Sequence, residues 1–125
     1  MTATNGRAMK AKGSAFEREI VAALRARGHP YVERAYGAGR PRDVGDIDGL
    51  PGFAIECKAA RRLELAAWAD EAAGEAANAG DGVVPVVVVK RRGKPAESAY
   101  VVMRLADWAE LVADAGTPGA LPVRS

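Results

Sequence analysis

Acidic and basic side chains fall in a chemically suggestive order between Asp46 and Lys58. Asp46 precedes the turn residues Asp48, Gly49, Leu50, Pro51 and Gly52, and the apolar run after them closes on Glu56, Cys57 and Lys58. Glycine supplies positive φ and proline presets its own, so this stretch predicts a tight turn joining strands over 44–48 and 53–58. Strand side chains alternate faces, which puts Glu56 and Lys58 on one side and Phe53, Ile55 and Cys57 on the other. Folded about Leu50 and Pro51, the hairpin sets Asp46 opposite Glu56 and Asp48 opposite Ala54. Two carboxylates facing each other across a ladder repel. A cation between them removes the repulsion, and Mg²⁺ suits a site of few carboxylates completed by water and phosphate. Lys58, on the Glu56 face, would position water or stabilise charge building on phosphate oxygens.

A third acid precedes the hairpin. Ser14 has the character of an N-cap and Glu17 follows at capping-box spacing, so a helix is expected from there to about Arg27, stopping at Gly28 with Pro30 beyond. Phe16, Ile20, Ala23 and Leu24 make its apolar stripe. Glu17 lies on the edge of that stripe, where the ordinary reading is a side chain capping its own helix. The other reading is an acid turned toward the core, which then needs a partner.

The ordered set of Glu17 on a helix, Asp46, then Glu56-x-Lys58 resembles the signature of PD-(D/E)xK nucleases. It is similar to the Holliday junction resolvases of archaea and phages, over roughly residues 12 to 104. The resemblance implies a restriction-endonuclease-like α/β core with a mixed central sheet flanked by helices. It also implies that the backbone carbonyl of Cys57 joins Asp46 and Glu56 as a metal ligand, and that Glu17 acts on a water or a second metal. Archaeal relatives often carry an assisting serine near the glycine loop. Gly37, Ala38 and Gly39 supply none, which sets any serine-assisted step aside.

The remaining chain must hold these groups in place. At 125 residues it fits one domain, divided as a flexible basic segment 1–12, a nuclease domain 13–115 and a tail 116–125. Apolar residues at 49% and charged ones at 27% are ordinary for a globular protein. A net charge of +2 says little alone, but the cations cluster: Lys12 with Arg7 and Lys10, Arg40 with Arg42, Arg61 with Arg62, and Lys90, Arg91 and Arg92 before Lys94. Such patches beside an acidic site fit a phosphate backbone, although any one of them would also suit a solvated loop.

Residues 31–36 read as a first strand. Residues 63–79 read as an alanine-rich helix with Trp68, Ala72 and Ala76 on one face, and with Glu71 and Glu75 on a solvated flank. The nearly continuous valines of 83–89 predict a strand buried on both faces. Residues 100–103 predict another strand, and 105–113 a closing helix with Leu105, Trp108, Leu111 and Val112 inward. That order again gives an α/β domain with a mixed sheet. Cys57 reads as a small core residue and His29, the one histidine, as a turn residue. A single cysteine excludes an internal disulfide and a cysteine-rich zinc site. Nothing resembles a membrane span or signal peptide, so a cytoplasmic protein is expected.

The function expected is Mg²⁺-dependent hydrolysis of DNA phosphodiesters, with Mn²⁺ as substitute, at four-way junctions or other branched DNA. A homodimer is expected because a junction presents two strands to cut. Two alternatives stay open: a nicking or restriction-like nuclease of the same fold, and a DNA-binding module without catalysis.

Overall fold

The computed structural model describes residues 2–35 and 44–116, with side chains from Gly13 onward. Helix α1 (Thr2–Ala26) is followed by β1 (Glu33–Arg34), β2 (Ile47–Asp48), β3 (Phe53–Lys58), α2 (Leu65–Ala79), β4 (Val84–Val89), β5 (Tyr100–Val102) and α3 (Leu105–Ala115). The strands form one mixed sheet in the order β1-β2-β3-β4-β5. Only β3 and β4 pair in parallel. Parallel neighbours need a crossover, and α2 supplies it.

α1 begins well before the expected N-cap. Ser14 is interior to the helix, and its hydroxyl meets Arg34 Nη2 at 3.2 Å instead of capping. The other end matches the sequence reading. His29 N–H donates to Leu24 O at 3.1 Å and Gly28 N–H to Arg25 O at 3.2 Å, with Gly28 at φ 102°. This is a Schellman closure, which needs a residue that tolerates the left-handed region.

The hairpin also forms as expected. Leu50 O accepts from Phe53 N–H at 3.2 Å, with Pro51 and Gly52 (φ 89°) between them, as a type II turn requires. Ile47 pairs with Ile55, the register that brings Asp46 to Glu56. The ladder departs from ideal at Asp46, whose N–H donates to Ile55 O at 2.7 Å. Gly45 makes this possible: it has φ 114°, and a Cβ there would lie 2.9 Å from Ile55 N and O. Any side chain would push the two strands apart.

The core lies on both faces of the sheet. On one, α1 packs Phe16, Ile20 and Val21 against Val32, Ile47, Ile55, Val86 and Val88. On the other, α2 packs Trp68 and Ala72 against Val87 and Val89. β4 therefore alternates between two buried clusters, which is why its sequence is almost unbroken valine. Burying Phe16 alone contributes about 1.5–3 kcal/mol.

Three further expectations change. The first strand shrinks to Glu33–Arg34, and Tyr31 is exposed. α3 has no buried residue: Leu105, Trp108 and Leu111 all face outward. Glu75, expected on a solvated flank, is only 3% exposed. Its helix lies so close over the sheet, with Ala72 and Ala76 as the spacers, that this flank is inside.

Candidate active site

β3 is the middle strand of the sheet, and its polar side chains face α2. Glu56 is 6% exposed there. Its carboxylate lies among those of Glu71 and Glu75, one oxygen from each falling within 4.8 Å of the others. Asp46 reaches the same place from the other side, and its Oδ2 accepts from Cys57 N–H at 2.9 Å. That bond ties the start of β2 to the end of β3 and fixes Asp46 beside Glu56. Burial, hydrogen bonding with Glu75 and with Asp46, and the negative charge of both push the Glu56 carboxyl up to about 11. Desolvation disfavours the charged form, and neighbouring carboxylates disfavour it further.

Lys58 projects on the same side as Glu56, two residues further along β3. Its Nζ lies 2.8 Å from Glu71 Oε1 and 3.7 Å from Glu56 Oε1. Burial works against its charge, but the hydrogen bond to Glu71 and the charges of Glu56, Glu71 and Asp46 prevail and raise its pKa. Lys58 is a cation held at the rim of an acidic cluster.

Glu17 stands next to Asp46 on the α1 side. Its carboxyl is raised first by burial and then by the charge of Asp46, against the lowering effect of Arg34. Arg34 Nε donates to Glu17 Oε1 at 3.1 Å. Glu17 thus has a cationic partner on β1 and an acidic neighbour just before β2, and, lying in the interior of α1, it does not cap its own helix. Cys57 is half-buried and packs against the α1-side core; burial and the surrounding acids push its thiol up, so it behaves as an apolar filler.

The acids form a row from α1 past the start of β2 and along β3 to α2: Glu17, Asp46, Glu56, Glu75. Several buried or half-buried carboxylates in adjacent positions are costly together unless a proton or cation lies among them. A divalent cation suits this donor set, since hard cations prefer carboxylate oxygens. The sequence singled out Glu17, Asp46, Glu56 and Lys58, and the fold brings them into one neighbourhood. Glu71 and Glu75 were read as solvated, and Arg34 was not singled out at all. The available signal for Glu75 was its helical spacing from Ala72 and Ala76, which places it near the packed face.

The basic residues divide. Arg61 and Arg62 are exposed in the loop that follows β3. Lys90, Arg91 and Arg92 follow β4, and Lys90 N–H donates to Lys58 O at 2.9 Å. Both groups therefore leave the sheet at the C-terminal end of the parallel pair, the end where Lys58 lies. Lys90 Nζ stands over the Phe16 ring at 5.9 Å and Arg91 over the Tyr100 ring at 5.0 Å, so two of these cations are seated on aromatic faces. Arg40, Arg42 and the side chain of Lys12 lie outside the described residues.

The family model of the archaeal Holliday junction resolvase matches residues 8–77, a span that contains Glu17, Asp46, Glu56, Lys58, Glu71 and Glu75. No curated protein and no solved structure matches.

Proposed function

The chain belongs to the archaeal Holliday junction resolvase family, a family of junction-resolving nucleases, and from that premise we propose that it hydrolyses DNA phosphodiesters at four-way or branched junctions using Mg²⁺. Asp46 and Glu56 would hold the ion, with the Cys57 carbonyl as a third protein ligand, and Mn²⁺ would substitute. The observation that carries this reading is the carboxylate cluster itself: Glu56 is buried, oxygens of Glu71 and Glu75 lie within 4.8 Å of it, and Asp46 is tied beside it through the Cys57 N–H. A divalent cation relieves that crowding directly. When bound, the metal polarises the phosphate and lowers the pKa of the attacking water.

The side chains of the protein do the rest. Lys58 offers its ammonium to the phosphate oxygens as charge builds on them. Glu17, held by Arg34, orients water beside Asp46. Arg61, Arg62, Lys90, Arg91 and Arg92 hold the DNA backbone, and Arg40, Arg42 and Lys12 extend that surface; such contacts position DNA without reading its sequence.

A junction has two strands of like polarity to cut, and this chain offers one site, so the active form is a two-fold homodimer. Trp68 and β4 are both internal to the fold, which removes them as dimer surfaces. The exposed stripe of α3 and the edge strand β5 remain. Among the described residues no helix is long and apolar enough to cross a membrane.

The decisive assay compares four-way, Y-shaped and linear duplex DNA with Mg²⁺ and with EDTA. Preferential, EDTA-sensitive cleavage of the four-way substrate is expected. Metal-independent cleavage sinks the metal assignment, and equal cleavage of linear duplex sinks the junction preference.

A further inference from the structure

Lys58 poses a problem that Glu56 does not solve. A lysine ammonium is a compact charge on a flexible four-carbon stem, so it acts at a defined point only if something fixes it there. Glu56, its neighbour on β3, already shares its carboxyl with Asp46 and Glu75 and stands 3.7 Å from Nζ. Glu71 stands at 2.8 Å. Its backbone is well anchored, since Trp68 and Ala72 on either side of it in α2 are 5% and 1% exposed. The Glu71 side chain itself remains at the rim, about half exposed. It faces Lys58 from a rigid helix, at the solvent edge of a cluster whose other members, Glu56 and Glu75, are buried.

Resting on the reading that Lys58 is the reactive cation, we propose that Glu71 is a positioning residue for Lys58. It draws Nζ toward α2 and keeps the ammonium from collapsing onto Glu56. Without it, the nearest anion left to Lys58 is Glu56, a proposed metal ligand. The lysine would then occupy the position that the cation needs, and would no longer stand free to meet a phosphate oxygen. Glu71 touches neither metal nor DNA in this role and acts through the lysine alone.

The test is single-turnover cleavage of a four-way junction at saturating Mg²⁺, alongside junction affinity measured in Ca²⁺. Glu71→Ala removes the acceptor and should slow cleavage about tenfold, the worth of one partly exposed charge-assisted hydrogen bond. Glu71→Gln keeps an amide oxygen that accepts from Nζ and should lose only a few-fold. Junction affinity should stay within about twofold for both, since the contact is internal. Neither change should threaten folding at an exposed helical position. An unchanged rate for Glu71→Ala overturns the assignment, as do equal losses for the two variants or a loss confined to affinity. Lys58→Ala separates the two layers. If it is inactive while Glu71→Ala is normal, only the positioning role fails. If Lys58→Ala cleaves like wild type, the reading of Lys58 fails and takes Glu71 with it.

Discussion

Helices α2 and α3 each carry a tryptophan, and the two side chains meet opposite fates. Trp68 of α2 is 5% exposed, packed with Ala72 against Val87 and Val89, while Trp108 of α3 is 53% exposed. α2 crosses over the parallel pair and lies flat on the centre of the sheet. α3 follows the edge strand β5 and turns Leu105, Trp108 and Leu111 to the outside, with Val101, Met103, Leu105 and Trp108 lining a shallow depression. Similar apolar spacing thus serves two ends. In α2 it builds the wall that holds Glu71 and Glu75 against β3; in α3 it leaves a surface of the kind that marks a partner site.

If α2 is the catalytic wall, the largest effects belong to what it covers. Glu56→Gln or Asp46→Asn should lower cleavage about a thousandfold or more, because either removes a proposed metal ligand. Both should leave junction binding intact. Asp48→Asn, one step nearer the turn and paired with Glu33 on β1, should be far milder. Equal losses at Asp46 and Asp48 in a cleavage assay would place the metal elsewhere on the hairpin.

The tryptophans themselves sharpen the contrast. Trp68→Ala should destabilise the fold by about 3–5 kcal/mol in urea unfolding, the usual range for truncating a buried aromatic. Trp108→Ala should cost under about 1 kcal/mol in the isolated protomer, yet shift light scattering toward monomer at micromolar concentration. A large stability loss from Trp108→Ala at concentrations where the protein is monomeric would mean that α3 packs within its own chain.

The acid wall should also appear in the pH dependence. Glu56 holds a proton in the folded chain up to about 11, against 4.5 ordinarily. Its contribution is fully present below that unfolded value and is lost as pH rises toward the folded one. The metal-free protein should therefore lose stability from about pH 5 upward through this group. Added Mg²⁺ should raise the melting temperature more at pH 8.5 than at pH 6, since it replaces the proton. Glu56→Gln should flatten both trends; a wild-type slope in that variant would remove Glu56 as their source. The smallest effect lies on the basic loops. Replacing Arg61 and Arg62 by Ala should reduce the salt dependence of binding by roughly 0.9 for each lost phosphate contact, for every DNA shape tested. An unchanged slope would make them ordinary surface charge.

Much of this arrangement was legible in the chain, and the divide follows the range of the interactions. The Ile47–Ile55 register could be read because Gly49, Pro51 and Gly52 fix the turn locally, and alternation then assigns every face. The Schellman end of α1 is equally local. The start of α1 was misread because Ser14 and Glu17 have capping spacing, and a cap signal cannot show that upstream residues already continue the helix. Burial of Glu75 was hidden because an alanine-rich helix has no bulky stripe to show which flank touches the sheet. The closing helix was misread for the complementary reason. Leu105, Trp108 and Leu111 have the periodicity of a core face, and periodicity says that a face is apolar, not which surface covers it.

The acid row also bears on when activity can first appear as the chain folds. Its members come from α1, the residue before β2, β3 and α2, and Glu56 lies on β3, whose parallel neighbour β4 is joined to it through the α2 crossover. Such non-local pairings are slow steps, since the loop must close before the contacts reward it. In the unfolded chain the carboxylates are scattered in water, and none is arranged to grip a cation. The site proposed for cleavage is therefore complete only when α1, the hairpin and α2 are all in place. A protein able to cut DNA is harmless to it until the whole sheet is in place.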